Sequence, residues 1–336
     1  MPIRVPKGVV RGAILGLACL GAALGALAGS EREEPKPLAP VLAAERTVLA
    51  LPPPDPMQPT PLARMPSPPE APASFGFARS PMIQEPATWQ QHAVPVAAAE
   101  GRPRIVVVID DLGLNRPATR RTMALPGPLT LSFMTYADGL ADYSKAAGAA
   151  GHEVMLHLPM EPSNHLDPGP RALLLSDAKE KQRANLRWSL DRLEGYVGVN
   201  NHMGSAFTAD EPGMRLVMAE LGRRGLLFLD SRTSAETKGP VLAEELGVPL
   251  AERHVFLDHE VSRDFIRQQL AETESIARRD GVAIAIGHPY DETLDALAGW
   301  LPDLSAKGFQ LVPVSAVVRV NSEESPPRLI AVPGAG

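Results

Sequence analysis

The chain has 336 residues, a formal charge of −6 at neutral pH and one cysteine. That charge, with no basic run beyond the first residues, argues against a nucleic-acid partner. A lone Cys19 excludes a disulfide, a cysteine nucleophile or cysteine-ligated zinc in the folded part, and 16 prolines within residues 31–100 point to one large domain rather than two.

In chain order, Arg4, Lys7 and Arg11 come first, followed by an uncharged stretch from Gly12 to Gly29 and then Glu31-Arg32-Glu33-Glu34. This is the layout of a segment exported across a bacterial-type inner membrane with its positive end retained inside. Residues 1–30 are therefore expected to be a signal peptide or a membrane anchor. Ala26-Leu27-Ala28 offers a cleavage site, while 18 uncharged residues are near the minimum for a spanning helix, so both options stand. Residues 31–102 read as a Pro-rich disordered linker, because no hydrophobic period is sustained there. Residues 103–320 form the folded domain, 321–336 a disordered tail, and the expected location is the periplasm, either free or anchored to the inner membrane.

From Pro103 onward short apolar runs alternate with longer amphipathic ones. Strands are predicted at Arg104–Ile109, Leu129–Met134, Glu153–Leu158, Gly198–Asn201, Leu226–Asp230, Val255–Leu257, Val282–Ile286 and Gln310–Val314. Helices are predicted near 116–125, 139–150, 177–194, 211–224, 240–247, 260–280 and 292–307. Ser176-Asp177 and Asp210-Glu211-Pro212 supply N-terminal signals, and Gly225, Gly247, Gly281 and Gly308 supply stops. Strict β-α alternation implies parallel strands in a barrel, or an open doubly wound sheet as the lesser option. No glycine-rich phosphate loop follows any strand, which weighs against nucleotide-binding versions and against a sugar-phosphate isomerase or lyase.

Chemistry-bearing residues collect at the carboxyl ends of these strands. The first strand, Ile105–Ile109, runs into Asp110-Asp111, two like charges whose mutual repulsion calls for a cation or a shared proton. The third ends in His157 with Glu161 after it. The fourth ends in Asn200-Asn201-His202, the fifth in Asp230-Ser231-Arg232, the sixth in Asp258-His259 and the seventh in His288. Singly, His157 and His202 read as hydrogen-bonded structural histidines, Asp230 as a cap or surface ion pair, and Asp258-His259-Glu260 as a helix start. His152 and His254 stand at strand beginnings and read as structural, and His165 lies in a polar loop. Together, the strand-end groups describe a divalent-metal site with open positions, suited to hydrolysis with a carboxylate base and a histidine acid.

The series Ile109-Asp110-Asp111-Leu112-Gly113, His157-Leu158-Pro159-Met160-Glu161-Pro162, Asn200-Asn201-His202-Met203-Gly204-Ser205, Phe228-Leu229-Asp230-Ser231-Arg232 and Gly287-His288-Pro289 resembles the divergent polysaccharide deacetylase family, a branch of the NodB-like carbohydrate esterases. The resemblance covers residues 103–320 and implies an α/β fold, a deformed (β/α) barrel of about seven strands. It implies Asp110 as the base, Asp111 and His157 as metal ligands, and His288 as the general acid. Glu161 falls where typical members have a second metal-binding histidine, so His202 is the expected replacement ligand, with Glu161 as a fourth ligand or supporting group. The motif that usually brings an arginine to the base is absent around His202, leaving Asp230 or Arg232 to orient it, with Asn201 and Ser231 among the substrate-binding or orienting residues. The expected cofactor is a divalent metal, zinc foremost, and the expected partners are a polysaccharide substrate and the inner membrane. The expected activity is metal-dependent removal of acetyl groups from an envelope polysaccharide. The alternative is a catalytically weak or inactive carbohydrate- or protein-binding scaffold on the same fold.

Overall fold

The computed structural model describes residues 86–98 and 100–318. The expected signal or anchor segment, most of the linker and the C-terminal tail lie outside the described residues. Among the described residues no helix is long and apolar enough to cross a membrane.

Nine strands alternate with helices: β1 (Arg104–Leu112), β2 (Thr130–Met134), β3 (Glu153–Met160), β4 (Gly198–Met203), β5 (Leu227–Asp230), β6 (Leu250–Glu252), β7 (Val255–Phe256), β8 (Val282–Gly287) and β9 (Gln310–Leu311). All pairings are parallel, in the order β6-β5-β4-β3-β2-β1-β8-β7. The two ends of that order are one continuous piece of chain. β6 pairs with β5, β7 pairs with β8, and only Arg253 and His254 separate them. Counting this bent segment as one stave gives the seven of a NodB-like barrel. β9 pairs with the start of β1 at Arg104–Ile105, whereas β2 joins β1 only from Val108 onward, so β9 fills the base of a splayed pair.

The alternation of side chains along each strand splits the core in two. Ile105, Val107, Ile109, Leu131, Phe133, Leu156, Leu158 and Phe228 pack outward against the helices. Val106, Val108, Met155, Val197, Leu227, Leu229, Ala251, Ile284 and Ile286 pack inward and fill the barrel. Strands this apolar on both faces read as continuous hydrophobic runs, which is why most were legible. β6 was not. Leu250–Glu252 is three residues long and follows a helix stop at Gly247, too short to show a period.

The helices connecting the strands are α2 (Arg116–Met123), α3 (Leu140–Ala149), α4 (Lys179–Leu190), α5 (Glu211–Arg224), α6 (Gly239–Leu246), α7 (Arg263–Asp280) and α8 (Asp291–Trp300). The Asp210 side chain accepts the Gly213 N–H at 2.8 Å and caps α5 as expected. α4 begins later than predicted, with Ala178 rather than Ser176 or Asp177 at its cap. α8 stops at Trp300, short of 307, because Pro302 follows and the next turn is 3₁₀.

One element precedes the barrel, α1 (Thr88–His92), within the stretch expected to be linker up to 102. Its Trp89 is buried with the inward core residues, and the Trp89 N–H bonds to the Gly225 carbonyl at 2.9 Å. The described part of the stretch expected to be linker thus contributes a helix that packs on the barrel.

Candidate metal centre

Alternation decides which strand-end residues reach the barrel mouth. On β1, Asp110 continues the inward series Val106, Val108. On β3, His157 follows inward Met155, and beyond β8 His288 continues Ile284 and Ile286. On β4, Asn200 and His202 share a face, opposite to Val199 and Asn201. Asp111 should by this rule point outward. It does not, because β1 carries one extra residue there: Ile109 pairs with Leu131 but Leu112 with Phe133. Asp111 absorbs the bulge with φ +57°, a left-handed conformation that costs an ordinary residue roughly 1–2 kcal/mol and that Asp tolerates better than most. The bulge brings both carboxylates of the pair to the mouth.

There Asp111 Oδ1 lies 3.0 Å from His202 Nδ1 and 3.3 Å from His157 Nε2. Neither contact has the direction of a hydrogen bond, so Oδ1 is a buried oxygen with no donor. One ligand atom each from Asp111, His157 and His202 lie within 4.8 Å of one another. A carboxylate and two imidazoles around an unsatisfied oxygen fit a divalent cation. Beside them, Asp110 Oδ2 is 3.6 Å from His157 Nε2, and the Asn200 amide nitrogen lies 2.9 and 3.0 Å from the two Asp110 oxygens. Across the mouth, His288 Nε2 is 4.0 Å from Asp111 Oδ2. The other ring nitrogen of His288 bonds to Asp258 Oδ1 at 2.9 Å, while Asp258 Oδ2 accepts the His288 N–H and the Thr293 hydroxyl, each at 2.7 Å.

The electrostatics divide the neighbouring carboxyls. Burial raises Asp110 above the usual carboxylate range, against the pull of His157 and His288. Burial would raise Asp111 too, but the His157 and His202 imidazoles outweigh it and hold Asp111 far below that range. For His288 burial opposes the charge, yet the Asp258 contact outweighs it, and with Asp110 and Asp111 nearby the ring is pushed up to about 9.

A barrel with this mouth is matched by the family model for divergent polysaccharide deacetylases over residues 107–318. The chain belongs to that family. It is 32% identical to an uncharacterised protein of Haemophilus influenzae over 227 residues, covering 67% of this chain and 80% of that one. It is 33% identical over 194 residues to the uncharacterised protein YibQ of Escherichia coli K12, covering 58% of this chain and 61% of the relative. An uncharacterised protein of Agrobacterium tumefaciens C58 shares the fold in its crystal structure, with a TM-score of 0.66 and 33% identity over 68% of this chain and 94% of that one.

Within this member of the family the remaining expected site residues separate. Glu161 is not brought to the cluster: its carboxylate accepts the Leu175 N–H at 2.5 Å and pins the loop after β3. Asp230 shares the outward face of Phe228, where it accepts the Arg232 N–H at 2.8 Å and the Thr237 hydroxyl at 2.7 Å. Arg232 pairs with Glu252 at 3.3 Å. Neither Asp230 nor Arg232 orients Asp110. Asn201 also faces outward; its oxygen accepts the Ser231 N–H at 2.9 Å and its nitrogen reaches the Met203 carbonyl at 2.7 Å, bracing the loops. Ser231 does face inward, 3.2 Å from the Asn200 amide nitrogen. His152 and His254 accept backbone N–H groups of Leu129 and Ile284 at 3.1 and 2.9 Å, structural as expected. His165 is exposed in its loop.

Three further groups at the mouth have no role assigned from the sequence. Asn200 stands two residues before His202 on one strand, so a shared face was available as a signal. Asp258, which singly reads as a helix start, does not open α7: that helix begins at Arg263, capped by Ser262, and Asp258 is buried against His288. Arg253 sits at the bend between β6 and β7. It donates to the Ser231 and Arg232 carbonyls at 2.6 and 2.9 Å, and it feels the charge of Asp110. No local signal marks it, because the bend itself was not legible.

Proposed function

We propose that this protein is a metal-dependent hydrolase that removes acetyl groups from an envelope polysaccharide. The observation that supports this best is the mouth itself, where a three-residue ligand set stands beside a carboxylate of raised proton affinity and opposite an imidazole that is cationic at neutral pH. Asp111, His157 and His202 would hold a divalent cation, zinc for preference. When bound, that ion supplies a Lewis acid that polarises a carbonyl and acidifies water. Asp110 accepts a proton from water at its carboxylate, steadied by the Asn200 amide. His288 gives a proton from Nε2 to the departing nitrogen or oxygen, while Asp258 keeps the ring charged and oriented. Family membership supports a polysaccharide substrate, and the basic-then-uncharged N-terminus supports export to the periplasm or anchoring in the inner membrane. The charge of −6 without a basic run in the folded part supports the absence of a nucleic-acid partner.

The test is acetate release by the zinc-supplemented chain from acetylated glycan oligomers and from an aryl acetate. Release that disappears in His288→Ala is expected. Zinc uptake with no release from either substrate would overturn the hydrolase in favour of a binding scaffold.

A further inference from the structure

Asn200 is fully buried, and every hydrogen-bonding position of its side chain is used. Its amide nitrogen serves both oxygens of Asp110 at 2.9 and 3.0 Å and the Ser231 hydroxyl at 3.2 Å. Its oxygen accepts the Ser132 hydroxyl at 2.5 Å and lies 2.9 Å from His157 Nδ1. The orientation of the amide follows from chemistry. A carboxylate can only accept, so the group facing Asp110 is NH₂ and the group facing His157 is the oxygen. That oxygen also can only accept, so His157 Nδ1 carries a proton. When the ring is neutral, as a cation ligand must be, its lone pair is then on Nε2, the nitrogen turned toward Asp111.

We infer that Asn200 is a positioning residue whose one amide fixes the His157 tautomer, so that Nε2 is the cation-binding nitrogen, and holds Asp110 beside it. The inference rests on reading Asp111, His157 and His202 as a cation site. No other small side chain does both jobs. Aspartate repels Asp110, and leucine takes from Asp110, Ser132 and His157 Nδ1 the hydrogen bonds they make to residue 200 in a buried place. Partners that orient a metal-binding histidine typically contribute about 10–100-fold in affinity.

The test is zinc titration by calorimetry of the full chain and of Asn200→Ala and Asn200→Asp, with ¹⁵N NMR of the His157 ring in the wild type. Asn200→Ala is expected to bind zinc about 10–100-fold more weakly. Asn200→Asp, which keeps an acceptor for Nδ1–H, is expected to recover most of that loss. In the zinc-loaded wild type Nε2 is expected to carry the metal and Nδ1 a slowly exchanging proton. Affinity unchanged in Asn200→Ala overturns the inference. So does an Asn200→Asp no better than Asn200→Ala when both show the wild-type circular dichroism. Should Asn200→Asp fail to fold, the wild-type spectrum still decides, since zinc on Nδ1 is incompatible with the proposed bond. A wild type that takes up no zinc counts against the cation site, whereas the Nδ1–H to Asn200 bond is then read in the zinc-free protein, so the two failures are distinct.

Discussion

Asp110 and Asp111 are adjacent and identical, and their opposite proton affinities come from what each faces. Burial favours the protonated form of Asp110 and outweighs the His157 and His288 charges and the Asn200 amide bond, which favour the ionised one, while Asp111 sits between two imidazoles that stabilise its charge. Their variants should therefore differ. Asp110→Asn is expected to keep zinc and lose turnover by about 100-fold or more, while Asp111→Ala loses zinc uptake itself. Calorimetry and acetate release on the same preparations check this, and equal behaviour of the two variants would sink the division of roles. Asp258 offers a second residue-scale test. His288 is pushed up to about 9, so its acid form persists below that pH and is lost as pH rises through it. Asp258→Asn removes the dominant opposing charge. The alkaline limb of the acetate-release profile should then fall by about one pH unit or more toward the ordinary histidine value. A limb that stays in place would remove His288 as the acid.

At the scale of elements, two-residue alternation sorts the mouth more sharply than residue chemistry does. Asp230 and Asn201 have the right chemistry and the wrong face; Ser132, Asn200 and Ser231 look ordinary and point inward. The barrel, most of its strands and the set Asp110, Asp111, His157, His202 and His288 were legible because long apolar runs and strand-end positions carry their own signal. Two things were not. The bulge at Asp111 leaves no mark in composition, and the pairing of Asp258 with His288 depends on which staves become neighbours, a long-range fact. The seating of β4 is one such fact with a direct test. Gly198 packs so closely on β5 that a Cβ there would overlap the Leu227 carbonyl and side chain. Gly198→Ala must push β4 off β5, and a loss of about 1–3 kcal/mol or more is expected in chemical denaturation. Because Asn200 and His202 ride on the same strand, zinc affinity should fall with it. A variant as stable as the wild type would mean that β4 and β5 are less tightly joined than their register indicates.

Across the whole folded domain, the end of the barrel away from the mouth is closed by chain segments rather than by side chains of the staves alone. Trp89 enters from α1, Val312 and Val314 enter after β9, and all three join the inward core. The Pro-rich composition hid the first of these, since one tryptophan on a five-residue helix sets no period. Glu153, at the start of β3, ties these segments together. Its carboxyl accepts the Ser315 N–H at 3.1 Å, the Ser315 hydroxyl, the Thr130 hydroxyl at 3.3 Å and the Val94 N–H at 3.4 Å. Burial outweighs these donors and raises Glu153 to about 6 from 4.5. The folded state therefore holds this proton more tightly than the unfolded chain does. The contribution to stability is complete below pH 4.5 and is lost as pH rises through about 6. Holding the proton to about pH 6 instead of 4.5 is worth about 2 kcal/mol. Glu153→Gln has no proton to lose, so the stability of the wild type relative to this variant should drop by about 2 kcal/mol between pH 4.5 and pH 7. Urea denaturation of both proteins at the two pH values measures it. A difference that does not change with pH would mean that Glu153 is ionised throughout, held by its four donors despite its burial.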